Sequence, residues 1–293
     1  LPLLDVSQPS TTHITDLARK GVVLDNHYVH WHCSPTRRSF LTGRLPLHHG
    51  EQLSDEDTDD IDLRWTWLSE KLHSVGYEAH WIGKGHTGYE AMSHLPAQRG
   101  FRNSTFFFQG SGSYTSLPLW RDEHPLVNES RGHTYSTDLF GSLAVETVKQ
   151  HDPTKPFFLY LPWQAVHTPY DLPPGLEDEE DPIPIMLADV DRWVGELITA
   201  LKANNNMYDD TLIIYASDNG GVTSGNNWPL CVRGDFCARV CHVRSRRGSP
   251  CCAQAGGEAH KLEWRDARRG LRERRLCAGT YAGHVQQRNN SRR

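Results

Sequence analysis

Between residues 60 and 220 the apolar positions alternate between two periods. Trp67, Leu68, Leu72 and Val75 recur at helical spacing, and Gly76 supplies a C-terminal stop. Tyr77–Ile82 then reads as a strand. Leu139, Leu143, Val145 and Val148 predict a second helix with Thr137 as its N-cap. Pro156–Leu161 is a short, nearly continuous apolar run of the kind that forms a buried strand. Met186, Leu187, Val190, Val194, Leu197, Ile198 and Leu201 form one long amphipathic stripe. Thr211–Ala216 reads as a further buried strand, and Leu24–Val29 as a short one leading into a loop at Cys33. Strands alternating with helices predict an α/β fold whose mostly parallel central sheet is flanked by helices. Ligand sites in such sheets lie beyond the carboxyl ends of the strands. Three polar segments fall there: Gly83–Gly88, Gln164–Pro169 and Ser217–Gly221.

Composition bounds the reading. The 293 residues are 23% charged and 37% hydrophobic, which fits a soluble globular chain of one large or two smaller domains. No apolar run is long enough to span a membrane. Leu1-Pro2-Leu3-Leu4-Asp5 is too short for a signal peptide, and the absence of an initiator Met points to a fragment or a processed chain. The net charge of −5 conceals a split. Residues 1–230 hold 16 Lys+Arg and 31 Asp+Glu, whereas residues 231–293 hold 15 and 5. Of the seven cysteines, only Cys33 precedes residue 231. The division predicted is a domain over 1–230 and a basic Cys/Arg-rich tail over 231–293 that is not its evolved continuation. A shifted reading frame or a retained intron would give such a change. Arg246-Arg247, Arg268-Arg269 and Arg274-Arg275 could contact phosphates, but no aromatic interleaving or binding motif supports nucleic acid as a partner. The tail cysteines lack paired Cys-x-x-Cys spacing, which argues against zinc. The acidic runs Asp55–Asp62 and Glu177–Asp181 read as solvated loops, and Asn103 and Asn128 head glycosylation patterns.

The most specific stretch is Cys33-Ser34-Pro35-Thr36-Arg37-Arg38-Ser39-Phe40-Leu41-Thr42-Gly43-Arg44. A cysteine two residues before a proline and four before an arginine, followed by Leu-Thr-Gly, resembles the signature of type I sulfatases. Gly83-Lys84-Gly85-His86-Thr87-Gly88 is similar to that family's Gly-Lys-Trp-His-Leu-Gly element. Ala165-Val166-His167-Thr168-Pro169 resembles its Ala-Val-His-x-Pro segment, and Ser217-Asp218-Asn219-Gly220-Gly221 its metal-binding turn. Gly225-Asn226-Asn227-Trp228-Pro229-Leu230 looks like the arylsulfatase B subgroup. The resemblance covers about the first 230 residues.

The resemblance implies an alkaline-phosphatase-like sulfatase fold, incomplete here, and hydrolysis of sulfate monoesters, with sulfated glycosaminoglycan sugars among the substrates. Cys33 would be oxidised in the endoplasmic reticulum by the formylglycine-generating enzyme. The hydrated aldehyde would attack sulfur and expel the alcohol, and its second hydroxyl would then expel sulfate. Asp218 and Asn219, with the group derived from Cys33, would hold one divalent cation, Ca2+, through oxygen donors. Arg37, Lys84, His86 and His167 would orient the diol and the sulfate where negative charge builds up. The location implied is lysosomal or secreted. Three departures are expected. The family's paired metal-binding aspartates fall upstream of Asp5-Val6-Ser7. Cys231-Val232-Arg233-Gly234-Asp235 stands where a second sulfate-binding lysine would be, and the smaller C-terminal domain is lacking. These leave an alternative, a catalytically inactive sulfatase-derived fragment or binding protein. A second rival is a related phosphatase or phosphodiesterase, which would use Ser or Thr as nucleophile.

Overall fold

The computed structural model describes residues 11–24, 27–49, 60–88, 90–126 and 134–221. The expectations for residues 1–10, Asp55–Asp59, Asn128 and 222–293, including the domain boundary at 230, lie outside the described residues.

A five-stranded sheet in the order β4-β3-β2-β1-β5 organises the chain. Its strands are β1 (Glu78–Lys84), β2 (Asn103–Phe107), β3 (Trp120–Arg121), β4 (His124–Pro125) and β5 (Phe157–Tyr160). The central trio is parallel: Ile82 of β1 lies opposite Thr105 of β2, and Ala79 opposite Phe158 of β5. The hairpin β3–β4 adds antiparallel pairs at the far edge, so the sheet is mixed.

Side chains alternate across a strand, and β1 shows what each face buries. Ala79 and Trp81 point into one core with Leu41, Trp67, Phe101 and Phe106. Ile82 points into the opposite core with Phe107, Phe140 and Ala144. The first face is covered by α2 (Cys33–Thr42) and α4 (Leu68–Ser74), the second by α5 (Ser136–Gln150) and α6 (Pro182–Ala203). Trp81 is fully buried against the rings of Phe101, Phe106 and Tyr160. An aromatic of this size contributes roughly 2–3 kcal/mol by burial. The short helices α1 (Thr12–Lys20) and α3 (Pro46–His49) complete the described set.

Helix ends explain several boundaries. Pro182 starts α6 where its missing N–H costs nothing, and Asp181 accepts from the Ile183 N–H at 3.3 Å. Asp191, buried within α6, accepts from the backbone of His13 (3.0 Å) and Ile14 (2.7 Å) and so caps α1 from another helix. After α4, Gly76 takes φ 91°, as a C-terminal stop requires.

The structure corrects six expectations. Cys33 is the first residue of α2, not a loop residue; Pro35 falls in the first turn, where proline is tolerated. Thr137 lies inside α5, and Tyr135 occupies the cap. Thr211–Ala216 is extended but forms no ladder; Leu212 (82% exposed) and Ile214 (73%) face outward, because no neighbour among the described residues offers it an edge. The described part of Leu24–Val29 is likewise unladdered, with Leu24 exposed. β5 is half-buried, since among the described residues it pairs on one side alone. Of the acidic runs, Glu177–Asp181 is an exposed loop as expected, whereas the described end of Asp55–Asp62 departs. Asp60 is turned inward, accepting from the Glu90 and Ala91 N–H groups and lying 2.9 Å from the His94 ring, and Asp181 caps α6.

Candidate active site

The carboxyl end of β1 delivers Lys84, and the backbone just beyond it is pinned on both sides. Lys84 N–H donates to the Pro162 carbonyl (2.8 Å), Gly85 to Phe107 (2.7 Å) and His86 to Phe108 (2.8 Å). Gly83, at φ 126°, sits so close to the Pro162 carbonyl that a β-carbon would collide with it. Its lack of a side chain lets the strand pass and aims Lys84 inward. From the other direction α2 begins at Cys33, one turn before Arg37.

These elements bring together four groups from three distant segments of the sequence. Lys84 Nζ donates to Cys33 Sγ at 2.9 Å. Arg37 donates through Nε (3.0 Å) and Nη2 (2.7 Å) to Asp218 Oδ2, and through Nη1 to the Lys84 carbonyl (3.2 Å). Lys84 Nζ lies 4.0 Å from the same Asp218 oxygen. Cys33 and Lys84 are almost completely buried, at 2% and 1% exposed. The electrostatics follow from this packing. Burial works against the Arg37 charge, but Asp218 more than offsets it and holds the guanidinium above its ordinary value. Burial would raise Asp218; Arg37, then Lys84, override it and keep the carboxylate well below the usual range. Burial, with Arg37 beside it, pulls Lys84 down. Burial pushes the Cys33 thiol up, only partly countered by Lys84. An unmodified Cys33 is thus a poor thiolate nucleophile.

Two imidazoles approach the same centre. His86, at φ 58°, is driven down to about 2 by burial and by Lys84, so its ring is neutral. Its Nδ1 is buried without a partner among the described residues, and its edge meets the His32 ring with centroids 5.5 Å apart. His32, Cys33 and His86 offer atoms within 4.8 Å of one another. His167 is also lowered, by burial and then Lys84. The Tyr114 hydroxyl holds its backbone, donating to the His167 carbonyl (2.9 Å) and accepting from its N–H (3.0 Å). Thr211–Ala216, although unladdered, leads directly into Asp218.

Asn219 Oδ1 is buried and unpartnered among the described residues, beside the Asp218 carboxylate. A carboxylate next to an amide oxygen that lacks a donor is hard-oxygen chemistry, which fits a cation such as Ca2+. These two residues would supply part of the six to eight oxygens such an ion takes.

All the residues singled out from the sequence, Cys33, Arg37, Lys84, His86, His167, Asp218 and Asn219, therefore fall at the carboxyl end of the sheet. His32, Tyr114 and Tyr160 were not foreseen. Tyr160, at the end of β5, bonds Arg37 and stacks on Phe40 (centroids 5.3 Å). Tyr114 and Tyr160 reach the site through long-range packing, whereas His32 is the neighbour of Cys33 in the chain. The local signals were that adjacency and the position of Tyr160 at a strand's carboxyl end.

The carboxyl edge of this α/β sheet thus gathers buried cations, a cysteine and a carboxylate. Comparison with known proteins gives the family. The sulfatase family model matches residues 3–238, and the chain belongs to the sulfatase family. It is 34% identical over 250 residues to mouse arylsulfatase J, covering 76% of this chain and 41% of that protein. It is 27% identical over 254 residues to human N-acetylgalactosamine-6-sulfatase, covering 75% and 48%. The solved structure of Ps i-CgsB in complex with k-i-k-neocarrahexaose superposes with a TM-score of 0.65 at 30% identity, covering 75% of this chain and 55% of that one. The fold is the alkaline-phosphatase-like sulfatase fold. The chain spans about half the length of the curated relatives it matches. No helix among the described residues is long and apolar enough to cross a membrane.

Proposed function

We propose that this chain carries the catalytic centre of a sulfuric ester hydrolase that acts on sulfated sugars, glycosaminoglycan sugars included, with a formylglycine made from Cys33 as nucleophile. The observation that carries the reading is the junction of Cys33, Lys84, Arg37 and Asp218 within hydrogen-bonding reach. A cysteine whose thiol is pushed up by burial is ill suited to act as a thiolate, yet it is surrounded by groups that handle an anion. Formylglycine would supply a hydrated aldehyde whose oxygen replaces sulfur at the same carbon.

The chain's own residues then take defined roles. The Lys84 ammonium, 2.9 Å from the reacting position, would hold a sulfate oxygen and stabilise charge as it develops. Arg37 would keep Asp218 ionised and orient the nucleophile from the next helical turn. Neutral His86 would accept or donate a proton at the nucleophile, and neutral His167 would donate toward the leaving oxygen. Asp218 and Asn219 would hold Ca2+, which when bound supplies Lewis-acid stabilisation of the sulfate and the nucleophile. Action of the formylglycine-generating enzyme implies passage through the endoplasmic reticulum, to a lysosomal or secreted destination. Residues 231–293 lie outside this assignment as a separate tail.

The test is expression of the chain together with a formylglycine-generating enzyme, mass spectrometry of the peptide bearing position 33, and hydrolysis of an aryl sulfate. A formyl group at 33 with a rate that vanishes in Cys33→Ala supports the reading. A converted position with no rate above Cys33→Ala would leave the inactive, binding alternative. An unconverted position with a persistent rate would favour the related phosphatase chemistry.

A further inference from the structure

At the opposite end of β1 lies a second cluster that the proposed reaction does not use. Glu78 opens the strand, His80 follows two residues later, and His151 stands just after α5 where the chain turns toward β5. The ligand atoms of all three lie within 4.8 Å of one another. The carboxyl and amino ends of β1 are about 20 Å apart at ~3.3 Å per residue, so this cluster is separate from the Cys33 centre.

Three details point to a cation. His80 is 6% exposed, and neither ring nitrogen has a partner among the described residues. Buried polar groups are normally satisfied, so an imidazole with two orphaned nitrogens calls for a ligand. His151 Nε2 lies 2.9 Å from the Lys155 carbonyl, which can only accept, so Nε2 carries a proton. In neutral imidazole that leaves a lone pair on Nδ1, and Nδ1 faces Glu78 Oε2 at 3.7 Å. Two acceptors directed at each other need a positive charge between them. A ring nitrogen bonded to a backbone carbonyl is also how metal-ligating histidines are commonly oriented. Finally, Arg102 and Lys155 both engage Glu78 Oε1, while Oε2 is the oxygen that faces His151. The Phe157 ring packs beside both imidazoles (centroids 5.5 and 4.7 Å) and gives the site an apolar wall.

We infer that Glu78, His80 and His151 form a binding site for a borderline transition-metal ion, best matched by Zn2+. Two imidazoles and one carboxylate with room for a water is a familiar zinc donor set, whereas Ca2+ prefers oxygen alone. Ligand atoms around tetrahedral zinc, at bonds of roughly 2.0–2.1 Å, stand closer together than the present spread. Binding therefore draws the three side chains inward by well under ~1 Å each. The ion fastens the amino end of β1 to the turn between α5 and β5.

The experiment is Zn2+ binding to the full 293-residue chain by equilibrium dialysis, alongside Glu78→Gln, His151→Gln and Cys33→Ala. It is read together with long-range 1H–15N spectra of the imidazole rings. Glu78→Gln is at the partly exposed rim and tests the site without emptying the core. The expected result is one zinc equivalent lost, or affinity lowered ~100-fold or more, in both Glu78→Gln and His151→Gln but not at this site in Cys33→Ala. The nitrogen resonances of His80 and His151 should move on zinc addition in the wild type and in Cys33→Ala. Equal zinc content in wild type, Glu78→Gln and His151→Gln would overturn the proposal. So would a His151 ring protonated at both nitrogens and unmoved by zinc, because a histidinium–carboxylate pair would then fill the gap.

Discussion

The two ends of β1 solve the problem of burying charge in different ways. At the carboxyl end, Lys84 of β1, Cys33 and Arg37 of α2, and Asp218 come from three separate segments and neutralise one another around a single carboxylate oxygen. At the amino end, Glu78 keeps its charge at the rim, shared with Arg102 and Lys155, while His80 behind it has no partner for either ring nitrogen among the described residues. The first end is pre-paid electrostatically and open to an anion. The second gathers two buried imidazoles beside one carboxylate, the donor set proposed above for a metal ion. One strand can serve both because its ends meet different neighbours: α2 and Asp218 at the carboxyl end, the turn after α5 and the start of β5 at the amino end.

The sharpest way to separate the ends is activity. Cys33→Ala should lower aryl sulfate hydrolysis by on the order of 10⁴-fold or more, as loss of a nucleophile does. Glu78→Gln should leave kcat within about twofold. A large loss in Glu78→Gln, measured by steady-state kinetics on the converted chain, would merge the two ends into one functional unit. Next in size, Lys84→Ala should cost roughly 10²–10³-fold in kcat, the usual effect of removing one preorganised donor. Its thermal stability should fall little, because a desolvated charge is removed along with its contacts. If instead the protein unfolds and the kcat of the folded fraction is unchanged, Lys84 serves the fold and not the chemistry.

Stability should follow the opposite ranking of residues. Arg37→Ala leaves Asp218 beside a single remaining cation, at a cost of about 3 kcal/mol in chemical denaturation. Arg37→Lys should recover only part of it, since one ammonium cannot reproduce donation from both Nε and Nη2. Acid then distinguishes the ends by pH window. Asp218 has its native value depressed below 3.8, so its stabilisation is complete above 3.8 and is lost as pH falls further, through the native value. His80, lowered by burial from 6.5 to about 4, takes up its proton more readily when unfolded. In the metal-free chain its contribution is lost as pH falls from 6.5 to about 4. His86 adds a similar loss that continues down to about 2. His80→Gln should reduce the slope of stability against pH between 6.5 and 4 by up to ~1.4 kcal/mol per pH unit, whereas Asp218→Asn should alter only the region below 4. Smallest of all, Lys155→Ala removes an exposed partner of Glu78 and should change stability by less than ~1 kcal/mol. A larger change would mean that the amino end is held by its rim and not by its buried histidines.

How much of this was legible in the sequence depends on the range of the interactions concerned. β1, α4, α5 and α6 could be read because their apolar periods are long and their neighbours are local. β2 was missed: Asn103-Ser104-Thr105 is polar, and its strand character comes from pairing with β1 more than from its own residues. Thr211–Ala216 failed in the opposite sense, since β-branched composition makes a strand only where an edge is offered. Cys33 was placed in a loop after Leu24–Val29, although the first turn of a helix accommodates Ser34 and Pro35. The candidate site residues were picked out through family motifs. Their mutual geometry was not, because no local pattern reports that Arg37 reaches Asp218 across 181 positions. The amino-end cluster gave no signal either: Glu78, His80 and His151 look like ordinary surface and strand residues until the fold brings them together.

The burial of Cys33 also imposes an order in time. With 2% of its surface exposed and its backbone already wound into the first turn of α2, the thiol in the folded chain is out of reach of any second protein. With Cys33 as the formylglycine precursor proposed above, conversion and folding would compete for the same residue during synthesis, and whichever came first would decide the fate of that molecule. A variant that folds more slowly should emerge more fully converted, and one that folds faster should leave a larger fraction permanently idle. Stability gained at the start of α2 would then lower the share of molecules able to react, even though every molecule is well folded.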